Sequence, residues 1–309
     1  MENFPSNINV GREKQENIVA QMKIINKTMQ RSDLKSDRAG KIIAELNDLI
    51  KALQDKELKI SSWYGIFELT GDRDSYEVRN RGYNYKPIED AVDDKNFPWF
   101  KYWEIVWVTL NAEFNKGQKV LDLGGSSSLF SYYLASKGLD VTTVDLQEQL
   151  VKNANQVAQQ TGWKLKNYVM DMGELDFDAQ FDHITSICVY EHIPMYNRIK
   201  INKLIEKLLL PGGRFSITFD YQNPSRFAKI DTPNNVYEQF VKPSGLSVRE
   251  NQRFVDSGDS YLLHPFYHPG MSWKNRWSLI KKGQFRPWEI IKSKKVNDYT
   301  FGALFQEKQ

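Results

Sequence analysis

The chain has 309 residues, 40% of them hydrophobic and 26% charged, with a formal net charge of +3. That is globular composition, long enough for one large domain with an appendage, and the charge is too small to argue for nucleic acid by itself. No apolar run approaches the roughly 18–20 residues of a membrane helix, the N-terminus lacks a secretory pattern and the single cysteine, Cys188, rules out an internal disulfide framework, so a cytoplasmic protein is expected.

In chain order, the first ten residues, with Pro5, Ser6 and three asparagines, read as loosely attached. From about Arg12 to Gln30, Ile18, Met22, Ile25 and Met29 form one stripe at helical spacing. A polar break over Ser32 to Asp37 precedes a second stripe of Ile42, Leu46, Leu49 and Leu53, which carries a helix to about Glu57. The pair predicts an αα-hairpin over residues 1–58, which either packs on the main domain or joins two copies as a homodimer. Residues 59–115 form an aromatic-rich connector, with a helix near Trp99–Phe114. Within it, Arg79 and Arg81 are candidate contacts for a substrate, the alternative being a solvated loop.

Residues 116–309 read as the main domain. Strands are expected at Lys119–Leu123, Val141–Asp145, Lys166–Asp171, Phe181–Val189 and Gly213–Tyr221. Helices are expected at Leu129–Lys137, Gln147–Thr161 and Met195–Leu210. Alternating strands and helices argue for an α/β fold with a doubly wound, mostly parallel sheet, whose ligand lies at the carboxyl ends of the strands. The tail Asn297–Gln306 alternates like a final strand, with Tyr261-Leu262-Leu263 before it. Between them, Met271–Val296 interleaves basic and aromatic residues within an insertion spanning 264–296. That composition suits phosphates or stacking as well as a solvated loop.

The most informative stretch is Asp122-Leu123-Gly124-Gly125-Ser126-Ser127-Ser128, a strand end and small-residue turn that opens a helix. Such a turn brings backbone N–H groups and a helix N-terminus to a ligand. Some twenty residues later the next strand ends in Asp145, a carboxylate placed to hold ribose hydroxyls. A dinucleotide fingerprint wants glycine at the first, third and sixth turn positions, which here are Gly124, Ser126 and Leu129. The leading acid, Asp122, suits a ligand with a cationic amino group better than a pyrophosphate.

On these residues the chain resembles the class I S-adenosylmethionine-dependent methyltransferases. The family's acid-x-Gly-x-Gly-x-Gly motif stands here with Ser126 and Ser128 for its second and third glycines, so the resemblance implies an altered loop or a serine hydroxyl facing the cofactor. Asn167–Met172, Phe181–Pro194 and Leu208–Phe219 match the family's third, fourth and fifth strands in order. The resemblance implies a Rossmann-like seven-stranded sheet, here with an N-terminal helical extension, and S-adenosyl-L-methionine as cofactor. It places Asp122, Gly124, Gly125, Ser126, Asp145, Leu146, Asp171, Met172 and Val189 around that cofactor, and makes residues before the first strand a lid.

Methyl transfer to a hydroxyl needs a base. His192, aided by Glu191, follows the fourth strand where the acceptor approaches, with Tyr190 bordering it. His264 and His268 are further acceptor-side candidates; they are four apart, but the neighbouring prolines make helical ligand geometry doubtful, and no metal is expected. The expected activity is methylation of a small molecule or a sugar or glycan. The alternatives are a non-catalytic scaffold with this fold and an RNA or DNA methyltransferase using the 271–296 segment; nucleic acid is not the favoured partner.

Overall fold

A computed structural model of the chain describes residues 24–61, 99–223, 229–262 and 298–309. Residues 1–23, the loop arginines Arg79 and Arg81, the histidines His264 and His268 and the basic insertion lie outside the described residues.

The first described segment corrects the hairpin expectation. Lys27–Thr28 form a short strand, β1, where a helix was expected to run to Gln30. Ile25 and Met29 of the supposed helical stripe are still buried, but Trp107 Nε1 donates to the Ile25 carbonyl at 2.9 Å, and the Phe305 amide donates to Asn26 Oδ1 at 2.7 Å. Tertiary hydrogen bonds thus override a weak helical pattern.

Helix α1 (Asp37–Gln54) starts at Ser36, whose hydroxyl accepts the Ala39 amide at 3.2 Å. It buries Ile42, Leu46, Ile50 and Leu53. Helix α2 (Trp99–Ala112) is buried nearly all round, as expected of a helix apolar on every face. The two helices share one hydrophobic cluster with Val120 and the first core helix. The boundaries expected at 58/59 and 115/116 therefore do not separate cores, and the α1 stripe packs inside the molecule, the first of the two uses expected for it.

The core follows the expected alternation: β2 (Lys119–Leu123), α3 (Leu129–Ser136), β3 (Asp140–Asp145), α4 (Glu148–Thr161), β4 (Leu165–Val169), β5 (Phe181–Ile187), α5 (Met195–Leu208) and β6 (Leu209–Tyr221). A four-residue helix, α6 (Pro233–Val236), and short strands β7 (Ser247–Val248) and β8 (Tyr261–Leu262) precede the last strand, β9 (Asp298–Glu307). Strands lie in the order β1-β9-β6-β5-β2-β3-β4, with β7 and β8 also pairing on β9. The pairs from β6 to β4 are parallel, and those of β9 are antiparallel.

The order reverses at β2, where the chain turns first toward β3 and β4 and later toward β5 and β6. A crevice outside the carboxyl ends at such a switch point is where doubly wound sheets take ligands. Along β2, Val120 packs into the cluster shared with α2 and α3, while Leu121 and Leu123 pack into the opposite cluster with α5. With both faces covered, the strand reads as nearly continuous apolar sequence.

Candidate functional site

The β2 turn is built around two glycines. Gly124 has φ +76, in the left-handed region, and a Cβ there would lie 2.7 Å from a Val189 methyl and 3.2 Å from the Met172 methyl. A Cβ on Gly125 would lie 1.9 Å from an Asp122 carboxylate oxygen. Asp122 is 1% exposed. One of its oxygens accepts from Ser131 Oγ at 2.5 Å and the other from Thr185 Oγ1 at 2.8 Å. Burial raises its pKa to about 6, against the effect of those two hydroxyls.

This arrangement corrects the expectation for Asp122: the carboxylate turns inward beneath the loop and ties β2, β5 and α3 together, instead of facing a ligand's amino group.

The serines of the turn are likewise spent on the protein. Ser126, 1% exposed, shares a 2.7 Å hydrogen bond with Thr143 Oγ1. Ser127, at φ +63, donates to the Leu150 carbonyl at 2.7 Å and accepts from Asn153 Nδ2 at 2.8 Å. Ser128 has extended backbone and caps α3 by accepting the Ser131 amide at 3.0 Å. Neither serine that stands for a motif glycine is left-handed, and the expectation of a serine hydroxyl facing the cofactor is not met.

The rim comes from the ends of β3 and β4. Asp145 is 9% exposed, and its Oδ1 accepts the Gln147 amide at 2.9 Å. Burial raises its pKa, with the Gln147 and Leu146 amides working the other way. Leu146 beside it is 70% exposed. Asp171 is exposed and caps the single 3₁₀ turn Met172–Glu174 through a 2.6 Å bond from the Gly173 amide. The structure thus brings Gly124, Met172 and Val189 into one patch, with Asp145, Leu146 and Asp171 on adjoining strand ends.

The opposite wall begins where β5 stops. Cys188 has φ +55, which ends the strand two residues before the expected Val189. A 3₁₀ turn, Tyr190–His192, follows. Tyr190 is fully buried. Its hydroxyl donates to Asn202, and its ring lies edge-on to Phe215 at 5.5 Å. It is a core residue on the α5 side, so its expected place beside an acceptor is corrected.

Glu191 is buried, with Oε1 accepting the Asp220 amide at 3.2 Å. The His192 side chain is 53% exposed, with Nε2 3.8 Å from Glu191 Oε1. Cys188 Sγ joins these two in a group whose ligand-type atoms all lie within 4.8 Å of one another, a set that could hold a metal ion. Burial, followed by Glu191, pushes the Cys188 thiol well up.

Sequence reasoning missed the groups behind this wall. Lys101 Nζ contacts Glu104 Oε2 at 2.6 Å, both side chains lying inside α2. Thr218 Oγ1 donates to Glu104 Oε1 at 2.6 Å, and Asn223 Nδ2 donates to Asp220 Oδ2 at 2.8 Å. Burial raises the Glu104 pKa, with Lys101 and Thr218 opposing the rise. Burial also works against the Lys101 charge, but the Glu104 and Asp220 carboxylates favour it and the pKa is raised. The signal was present: Lys101 and Glu104 are the only charges of an otherwise apolar helix, three residues apart.

Residues 120–213 match the family described as "Methyltransferase domain". The chain is 31% identical over 169 residues to the ubiquinone biosynthesis O-methyltransferase of Coxiella burnetii, covering 50% of this chain and 69% of that protein. It is 28% identical over 159 residues to the protein of the same name from Bordetella avium, covering 47% of this chain and 65% of that relative. Among solved structures, the [4+2]-cyclase SpnF superposes with a TM-score of 0.52 at 13% identity, covering 81% of this chain and 98% of that one. The last likeness speaks for the fold alone.

Proposed function

Because this chain belongs to the class I S-adenosylmethionine-dependent methyltransferases, we propose that it methylates a hydroxyl group of a small-molecule or sugar acceptor, with His192 as the base. The observation that carries this reading is the place of His192: half exposed at the end of β5, three residues after the Val189 that lies against Gly124. The relatives' O-methyltransferase name supports a hydroxyl acceptor.

The residues present fit the cofactor. The bare Cα of Gly124 lets Val189 and Met172 close onto the turn's backbone, where a Cβ would clash. One Asp145 oxygen is on the Gln147 amide, and the other is placed to accept from ribose hydroxyls. Leu146 and Met172 offer apolar surface for a flat base, and Asp171 offers a carboxylate oxygen at its edge. Asp122, Gly125 and Ser126 shape the turn from within.

When bound, S-adenosylmethionine supplies an electrophilic methyl group on a sulfonium. The protein's task is then alignment and exclusion of water. His192 takes the acceptor's hydroxyl proton as the oxygen attacks, and buried Glu191 orients the imidazole. A positioned base of this kind contributes about 10²–10⁴-fold. No helix among the described residues is long and apolar enough to cross a membrane, and a cytoplasmic small-molecule enzyme is the reading we favour.

The test uses the whole chain with methyl-labelled cofactor and matched panels of phenolic, sugar and amine acceptors. Label is expected in the hydroxyl compounds, and His192→Ala should cut turnover about 100-fold or more while S-adenosylhomocysteine still binds. Transfer to amines alone, or an unimpaired His192→Ala, would overturn the assignment.

A further inference from the structure

The turn that carries Val189 and His192 is fixed from a distance. Cys188, its first residue, holds a left-handed backbone, a conformation that costs a residue with a side chain free energy. It persists because its amide donates to Thr218 twice, to the carbonyl at 3.1 Å and to Oγ1 at 3.0 Å. A hydroxyl can accept that amide only if its own proton points elsewhere. Glu104 Oε1, 2.6 Å away, takes the proton. The other Glu104 oxygen is held by Lys101 Nζ at 2.6 Å.

A chain of contacts therefore runs from Lys101 through Glu104 and Thr218 to the Cys188 amide. It joins α2, β6 and the end of β5 across sequence separations of 114 and 30 residues. A buried ion pair is not needed for stability, since apolar residues of similar volume serve as well or better. This pair ends on the one backbone amide that starts the turn of the site.

We propose that Glu104 and Thr218 are positioning residues, holding the Cys188 turn so that Val189 borders the cofactor cradle and His192 faces the acceptor. This rests on the functional reading above and adds to it two residues that touch neither cofactor nor acceptor. Glu104 acts by orienting one hydroxyl, and Thr218 by presenting that hydroxyl's lone pair to the Cys188 amide.

Thr218→Val and Thr218→Ser separate this role from packing. Valine keeps the branched shape and loses the hydroxyl; serine loses a methyl and keeps it. The readouts on the full chain are S-adenosylhomocysteine affinity by calorimetry and thermal midpoint. Thr218→Val should weaken binding about tenfold, the effect of one lost hydrogen bond, and Thr218→Ser should stay within about threefold of the unaltered protein.

Glu104→Gln, which can present an N–H to Thr218 and turn its hydroxyl away from the amide, should weaken binding in the same direction. It carries the test if Thr218→Val does not fold. Folded Thr218→Val or Glu104→Gln protein that binds as tightly as the unaltered chain would overturn the inference while leaving the functional reading in place. Failure of the unaltered chain to bind S-adenosylhomocysteine would instead sink the reading itself.

Discussion

The two sides of the crevice are built on different principles. On the β2–β4 side, the turn is made of small residues within one continuous stretch, Asp122 to Ser131, closed by bonds such as Ser131 to Asp122 and Ser128 to Ser131. On the β5–β6 side, the turn after Cys188 depends on Thr218 and on Glu104, which sits in a helix before the first core strand. The first side comes from one stretch of sequence tied to Thr143, Leu150 and Thr185 of neighbouring elements, and the second is assembled from separate segments. A fold can keep its cofactor cradle constant while the opposite wall is rebuilt from distant parts, which is how one sheet serves many acceptors.

The largest expected effect breaks the assembled side. Lys101→Met leaves Glu104 buried without its 2.6 Å partner; removing one member of a buried pair costs about 3–5 kcal/mol. The double change Lys101→Met with Glu104→Leu should recover most of that loss. Urea unfolding of the three proteins checks both statements, and a double variant no more stable than the single one would show that the pair is more than a compensated charge.

The local side is probed by pH. The Asp122 pKa is about 6, above its ordinary 3.8, with burial the main cause. The folded state therefore favours the protonated carboxyl. Its contribution is fully present below pH 3.8 and is lost as pH rises through about 6, a change of order 3 kcal/mol. Asp122→Asn should lack this dependence, so the stability difference between the two proteins should drift across that window. Parallel pH curves would place the Asp122 carboxyl in a wetter setting than the structure gives it.

Cofactor affinity sharpens the contrast. Asp145→Ala should weaken S-adenosylhomocysteine binding by about 10- to 100-fold, or about 1.4–2.7 kcal/mol, with the lost hydrogen bond to the Gln147 amide costing about 1 kcal/mol of stability. Tight binding by the folded variant would remove Asp145 from the site.

The smallest stability effect falls on His192, whose side chain is half exposed. Its alanine variant should unfold within about 0.5 kcal/mol of the unaltered chain, so any loss of turnover there would be chemical.

The same contrast explains what could be read from the sequence. The β2 strand, the α3 start and the β3 and α4 spans were legible because strand–helix alternation and the small-residue turn after Asp122 are local signals. The first helix of the expected hairpin was not legible, because residues 24–30 take their conformation from Trp107, Val255, Phe301 and Phe305, all far along the chain.

Site residues divide in the same way. Gly124 follows β2 and Asp145 ends β3, while Asp122 and Ser126 take an inward orientation that no motif specifies. Tyr190 sits beside Glu191 in sequence, yet a 3₁₀ turn sends its ring into the α5 core. Lys101 and Glu104 gave a signal, two charges in an apolar helix, but their meaning depends on Thr218, more than a hundred residues away.

In the function proposed above, the Gly124 turn and the Cys188 turn enclose the cofactor between them. Amide hydrogen exchange on the full chain, with and without S-adenosylmethionine, tests it most directly. Slowed exchange over residues 124–126, 145–147 and 189–192 at saturating ligand is the predicted result. Saturable binding that protects some other face, or that leaves both turns exchanging as before, would contradict it.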